Sequence, residues 1–324
     1  MPYEKELEIA LNAVKKASAL CRRAQMTLVK SEAVAKKDRS PVTIADFGSQ
    51  AVVTLSLMAA FPGDFIVGEE DAGILRENAG LRQKVCALVE EQAGPVSADQ
   101  MMDAIDQGAC TPDFSGRFWT VDPIDGTKGF LREEQYAIAL ALVENGQVVL
   151  GVLGCPDFPG DEGENGGLFF AVRGGGTFML PGNAQVRQKI AADRIKDSRD
   201  ARFCESVESA HAAHDVHARI AEALGIKAQP LRMDSQAKYG AVACGLASVY
   251  LRLPRSSAYR EKIWDHAAGV IIVEEAGGRV TDFSGNPLDF STGRTLEKNV
   301  GILATNTFLH DDVLKAIRAV QSEG

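Results

Sequence analysis

No stretch of this 324-residue chain is apolar for the length of a membrane span. Its first residues, MPYEKELEIALNAVKKASAL, are charged and helix-like, without the unbroken apolar run of a secretory signal. A cytoplasmic protein with no membrane partner is therefore expected. Positive charge is also scarce. Thirty-five Lys and Arg stand against 44 Asp and Glu, a net charge of −9, which argues against nucleic acid as a partner. A small anionic substrate stays open, because a bound cation or a local basic pocket can reverse the field. The six cysteines, at 21, 86, 110, 155, 204 and 244, include no C-x-x-C pair. Neither a zinc knuckle nor a disulfide framework is suggested, and the thiols read as buried or incidental. The glycines at 174–176 lack the G-x-G-x-x-G spacing that opens a dinucleotide-binding helix, which disfavours a dehydrogenase. His211, His214 and His217 recur every three residues but do not focus on one ion, so zinc is not expected; His214 and His217 read as solvated helix residues. There are no internal repeats.

What is present is a globular composition, 45% apolar and 24% charged, with enough chain for one large domain or two compact ones. Leu7, Leu11, Val14, Ala17 and Leu20 fall on one stripe and predict a helix over 4–32. A second helix is expected from Phe47 to about Ala60, a strand at DFIVG, helix over 74–110, and a strand at RFWTVDPID. YAIALALVENGQVVLGVLGCP reads as two strands about an Asn145-Gly146 turn, and LFFAVRGGGTFML as another hairpin. DFPGDEGENGG (157–167) reads as a loop. A composition shift near 181 divides the chain into an α+β half (1–181) and an α/β half (182–324), in which helices at about 209–224 and 235–246, the strand ASVYLRLP, a helix at HAAGVIIVEEAGG, the strand GILATN and a last helix alternate.

Four places share one design, an apolar run that delivers an acid to its end: Asp46 in PVTIAD, Glu69 in FIVGEE, Asp122 with Asp125 in TVDPID, and Asp265 in KIWD. Carboxylates as close as Asp122 and Asp125 repel, and either water that solvates both or a cation between them would repay that cost. Hard divalent ions such as Mg²⁺ take oxygen ligands, and clusters of carboxylates clamp phosphoryl transfer through them. D-x-x-D-G-T arises by chance at roughly 10⁻⁵ per position. The residues after it add a second element. A helical turn starting there would aim free N–H groups at a phosphate. Gly126 would let the phosphate approach the backbone, Thr127 would orient an attacking water, and Asp46 could take its proton if the fold brings it near.

These words resemble a family. VGEED, VDPIDGTKGFLR and IWDHAAGVIIVEEAGG resemble the lithium-sensitive, magnesium-dependent phosphatases of the inositol monophosphatase superfamily. DRSPVTIADFGSQ, DPIDGTKGFLR, DSQAKYGAVACGLASVYLRLP and YREKIWDHAAG look like its 3′(2′),5′-bisphosphate nucleotidase branch, over residues 5 to 320. The resemblance implies a layered αβαβα sandwich, α+β joined to α/β, of the inositol monophosphatase and fructose-1,6-bisphosphatase type. It implies two or three Mg²⁺ ions on Glu69, Asp122, the Ile124 carbonyl, Asp125 and Asp265, with Asp46 and Thr127 activating water and Glu70 in support. It places Ser235, Lys238 and Arg252 on the phosphate that is retained, Ser235 and Lys238 being one turn apart on a presumed helix, and makes His211 a contact of the nucleotide. The implied partner is a nucleotide bisphosphate, adenosine 3′,5′-bisphosphate or 3′-phosphoadenylyl sulfate, acted on by a monomer. An inositol phosphate or inositol polyphosphate 1-phosphatase is the alternative.

Overall fold

The apolar stripe at the start of the chain forms α1 (Glu4–Thr27), which buries Ala10, Ala13, Val14, Ala17, Leu20, Cys21 and Ala24. The computed structural model describes residues 2–27, 34–35, 41–160, 165–182, 184, 186–207, 214–254, 256 and 258–322. Beside α1 lies α2 (Ile44–Ala60), apolar nearly all round and buried accordingly. It starts three residues before the expected Phe47, so Asp46 stands inside its first turn and not at the end of an extended run. The helix expected over 74–110 is three: α3 (Gly73–Glu77), α4 (Ala79–Ala93) and α5 (Ala98–Gln107). The caps explain the breaks. Asn78 Oδ1 accepts from Leu81 N–H at 2.9 Å to start α4, and Ser97 and Gln100 form a reciprocal capping box that starts α5.

A short antiparallel pair, β1 (Val34–Ala35) and β2 (Pro41–Val42), precedes α2. The larger sheet runs in spatial order β3 (Phe65–Gly68), β4 (Arg117–Asp125), β5 (Ala137–Glu144), β6 (Gln147–Cys155), β7 (Gly167–Val172), β8 (Gly176–Pro181) and β9 (Gln188–Ile190). β3 and β4 are parallel and the remaining neighbours antiparallel. β9 belongs to this sheet although it lies beyond residue 181. The two expected hairpins form, with Asn145 and Gly146 both at positive φ as a tight hairpin turn demands.

Alternation along β5 shows how the sheet divides its two faces. Ile138, Leu140 and Leu142 enter the core shared with α1 and α2, while Ala137, Ala139, Ala141 and Val143 enter a second core on the opposite face. Each fully buried Ile or Leu contributes about 1.5–3 kcal/mol of burial. The small residues let α9 (Ala267–Glu275) approach closely. A Cβ on Gly151 of β6 would sit 2.5 Å from Ile271 Cγ2 and 2.9 Å from the Ala268 carbonyl oxygen. With α8 (Ala237–Ala243), α9 fills the layer between the sheets. The smaller sheet has the order β11 (Leu231–Arg232), β10 (Phe203–Glu205), β12 (Val249–Arg252), β14 (Ile302–Thr305) and β13 (Arg279–Thr281). It is mixed: β10 pairs parallel with β11 and β12, and β14 pairs antiparallel with β12 and β13. A third core on its outer face takes residues of α7 (His214–Ala223) and α10 (His310–Ser322). Three cores separated by two sheets make five layers, αβαβα. No helix among the described residues is long and apolar enough to cross a membrane.

Candidate active site

Asp46 holds two things at once. Its Oδ2 accepts from the Thr43 backbone N–H and from the Thr43 hydroxyl, both at 2.7 Å, while Thr43 Oγ1 accepts from Ala45 N–H at 3.1 Å. This capping box fixes the start of α2 and the rotamer of Asp46. The other carboxylate oxygen, Oδ1, lies 3.2 Å from Thr127 Oγ1, 81 residues away in sequence. Thr127 is the first residue of α6 (Thr127–Leu131), and its hydroxyl also lies 3.3 Å from the Ile124 carbonyl oxygen.

The register of β4 against β5 shifts between Asp122 and Asp125, so the strand bulges at Pro123 and Ile124. Ser49 of α2 pins the bulge by donating to the Pro123 carbonyl at 2.8 Å. Asp122 is buried in the strand, and Asp125 ends it. Gly126 follows at φ +88°, in the left-handed region. A Cβ there would also sit 3.1 Å from Ser235 Cβ, against the second half of the chain. Residues far apart in the chain meet here: Asp125 Oδ2 accepts from Gln236 N–H at 2.6 Å. Glu69 follows β3, the parallel neighbour of β4. Its loop is clamped by Gln50 of α2, which accepts from Glu70 N–H at 2.9 Å and donates to the Glu70 carbonyl at 2.7 Å. Nothing in the pattern around Gln50 marked it, except that it is a polar residue inside an apolar helix.

From the second half come Ser235, Lys238, Arg252 and Asp265. Ser235 is not on a helix with Lys238. It precedes α8 at φ +66°, and its Oγ accepts from Ala237 N–H at 3.2 Å. Asp234 steadies this turn, accepting from Val207 N–H at 3.2 Å and from Arg132, the residue just past α6. Lys238 is 2% exposed, with Nζ 3.4 Å from the Met233 carbonyl and over the Tyr250 ring at 5.3 Å. Burial pulls the Lys238 ammonium below its ordinary range, and the Asp125 charge opposes the shift. Arg252 closes β12 between two acids: Nε lies 2.8 Å from Glu261 Oε2 and Nη2 lies 3.3 Å from Asp265 Oδ2. His211 lies outside the described residues, as does part of the 157–167 loop. His217 is not solvated as expected: it is 3% exposed, and its Nδ1 lies 3.2 Å from Glu205 Oε2. His266 packs; it is fully buried and makes no side-chain cap to α9.

The carboxylates want a cation. Burial raises Asp125 above the ordinary carboxylate range, although Lys238 and Arg252 pull it down. Burial pushes Asp265 up to about 8; Arg252 opposes this, and the charges of Asp125, Glu261 and Glu69 reinforce it. These groups are therefore near enough to feel one another as like charges. A hard divalent ion is the partner such an all-oxygen set suits. Glu261, Asp265 and His266 also lie close enough together to suggest a separate ion site. But Glu261 is committed to Arg252 and His266 to Tyr239, which leaves Asp265 alone of the three for an ion.

A five-layer αβαβα sandwich with mutually repelling carboxylates on and beside its larger sheet defines a class. The sequence profile of the inositol monophosphatase family matches residues 3–322, and the chain belongs to that family. Members are generally magnesium-dependent. Relatives named 3′(2′),5′-bisphosphate nucleotidase include one from Schizosaccharomyces pombe, 43% identical over all of this chain and 98% of its own length, and one from Oryza sativa, 45% identical over 98% and 94%. One from Arabidopsis thaliana, named 3′(2′),5′-bisphosphate nucleotidase 1, is 45% identical over 98% and 97%. Among solved structures, the Thermotoga maritima IMPase superposes with a TM-score of 0.69 at 23% identity over 98% of this chain and 99% of its own. An inositol monophosphatase from Anabaena gives 0.63 at 22% over 98% and 97%. At those identities the likeness shows the fold.

Proposed function

We propose that this chain is a magnesium-dependent phosphatase that removes the 3′-phosphate of adenosine 3′,5′-bisphosphate, giving AMP and phosphate, and converts 3′-phosphoadenylyl sulfate to adenylyl sulfate. The observation that carries this reading is the 3.2 Å contact between Asp46 and Thr127 beside the acids of β4, with the buried Lys238 and the part-buried Arg252 acting on Asp125. Glu69, Asp122, the Ile124 carbonyl, Asp125 and Asp265 would hold two or three Mg²⁺ ions. Bound there, the metal supplies Lewis-acid stabilisation of charge on the transferred phosphoryl group. The rest falls to the chain. Thr127 orients a water molecule, and Asp46, fixed by its cap, accepts the proton as the water oxygen bonds to phosphorus and the bond to the 3′-oxygen breaks. The departing 3′-oxygen takes up a proton to become the hydroxyl of AMP. Ser235, Lys238 and Arg252 hold the 5′-phosphate, which keeps that end away from the reacting centre, and His211 contacts the nucleotide. The protein acts as a cytoplasmic monomer, its site between the 1–181 and 182–324 halves. An inositol polyphosphate 1-phosphatase is not favoured, since the relatives at 40–45% identity bear the nucleotidase name. Chromatography of the products from adenosine 3′,5′-bisphosphate tests the reading. AMP is expected; adenosine 3′-monophosphate, left by cleavage at the 5′ end, would reverse the assignment of the two phosphate seats.

A further inference from the structure

Arg252 is clamped from behind. Its Nε lies 2.8 Å from Glu261 Oε2, and that oxygen is itself 3.3 Å from His266 Nε2. On the far side of the imidazole, Tyr239 Oη lies 2.7 Å from His266 Nδ1. All four groups are largely or wholly buried, Tyr239 and His266 completely. The direction of the relay follows from chemistry. A buried phenol keeps its proton, so Tyr239 donates to Nδ1; burial likewise keeps His266 neutral, against the pull of Glu261. Its remaining proton is on Nε2 and is donated to Glu261. Two donors, Arg252 Nε–H and His266 Nε2–H, thus converge on one carboxylate oxygen. Burial works against the Glu261 charge, but Arg252 and His266 outweigh it and hold the carboxyl at about 2.

We propose that Glu261 is a positioning residue for substrate selection: it holds the Arg252 guanidinium by Nε and so presents the other edge of the fork to Asp265 and to the phosphate the enzyme retains. The proposal rests on the reading of Arg252 as part of the seat for that phosphate. The geometry supports the division of labour. A guanidinium has five N–H donors in a rigid plane. Fixing Nε from behind sets the plane, and Nη2 already faces the metal-site acid Asp265 at 3.3 Å. Without Glu261 the arginine would keep its charge and lose its orientation, and a planar fork that is misaligned loses its advantage in binding phosphate oxygens.

The test uses AMP, which carries only the retained phosphate, and measures its binding by titration calorimetry in magnesium-free buffer, so that no turnover contributes. Arg252→Ala, Glu261→Ala and the double variant form a cycle, with adenosine as the ligand lacking phosphate. Each single variant is expected to weaken AMP about tenfold and leave adenosine unchanged, and the double variant to bind AMP no worse than Arg252→Ala alone. Glu261→Gln, whose carbonyl oxygen can accept the same two bonds, should recover most of the affinity. Additive losses in the double variant, or equal weakening of AMP and adenosine by Glu261→Ala, would overturn the proposal. If Glu261→Ala does not fold, Glu261→Gln carries the test: a loss of AMP affinity equal to that of Arg252→Ala then refutes positioning through the shared oxygen, and a small loss supports it. An Arg252→Ala protein that binds AMP normally would instead refute the phosphate seat itself.

Discussion

Replacing Asp46 by Asn separates its two duties. Both donors from Thr43 converge on Oδ2, and only Oδ1 faces Thr127. An asparagine can place its carbonyl oxygen where Oδ2 stands and keep both Thr43 bonds. Its amide nitrogen then occupies the Oδ1 position, where it donates and cannot accept a proton. The cap of α2 should survive, with a stability loss of under about 1 kcal/mol, the weakening expected when charged acceptors become neutral ones. Turnover should fall about 10²- to 10⁴-fold, the contribution of a positioned general base. The assay is phosphate release from adenosine 3′,5′-bisphosphate at saturating Mg²⁺, beside a thermal melt of the same preparation. Thr127→Val, which keeps the branched shape at the head of α6, should show a comparable loss of rate with little change in melting temperature, and Thr127→Ser should restore much of it. An Asp46→Asn enzyme that keeps more than about a tenth of the wild-type rate would refute proton transfer to this carboxylate. A large drop in melting temperature would mean that the cap does not tolerate the amide.

Other perturbations reach other parts of the site. Asp125→Asn should lower Mg²⁺ affinity and reduce turnover by orders of magnitude while the fold is retained; near-normal rates at ordinary Mg²⁺ would remove Asp125 from the ligand set. Lys238→Met, which keeps the buried volume, should reduce kcat/KM about tenfold to a hundredfold on adenosine 3′,5′-bisphosphate but little on adenosine 3′-monophosphate. Equal losses on both substrates would show that Lys238 serves the cleaved phosphate or the fold. Li⁺, close to Mg²⁺ in size with half its charge, should inhibit more strongly than Na⁺ at matched ionic strength, and parity between them would contradict the all-oxygen site. His310, buried between Thr281 and Thr305, is driven down to about 4, by burial first and then by Arg279. Its folded pKa is depressed below an unfolded value near 6.5, so the unfolded chain takes up the proton first and stability is lost as pH falls from about 6.5 to about 4. Denaturant titrations should show a shallower loss in His310→Gln, and identical slopes would sink the assignment.

How much was legible depended on how local each signal was. Asp122, Asp125, Gly126 and Thr127 lie within six residues, and their conjunction at a strand end can be read directly. The hairpin at Asn145-Gly146 is equally local. Asp46 could be singled out as a residue but not placed: PVTIAD reads as an extended run, and the capping box from Thr43 draws those residues into a helix. The pattern around Ser235 predicts a helix, because a left-handed backbone leaves no trace in it. His217 looked solvated because its partner Glu205 is on a strand of the smaller sheet. Gln50, Asp234 and Glu261 are polar residues whose importance lies in what they touch. Glu261 meets Arg252 only because β12 ends beside the turn that leads into α9, a contact no spacing rule describes. The division at 181 followed composition, whereas the larger sheet takes one more strand, at 188–190.

On the function proposed, the site recognises a nucleotide carrying a second phosphate. The most direct measurement compares kcat/KM for phosphate release from adenosine 3′,5′-bisphosphate, adenosine 3′-monophosphate and inositol 1,4-bisphosphate under the same Mg²⁺ concentration. A clear preference for adenosine 3′,5′-bisphosphate over both others is expected; equal or faster release from inositol 1,4-bisphosphate would contradict the account.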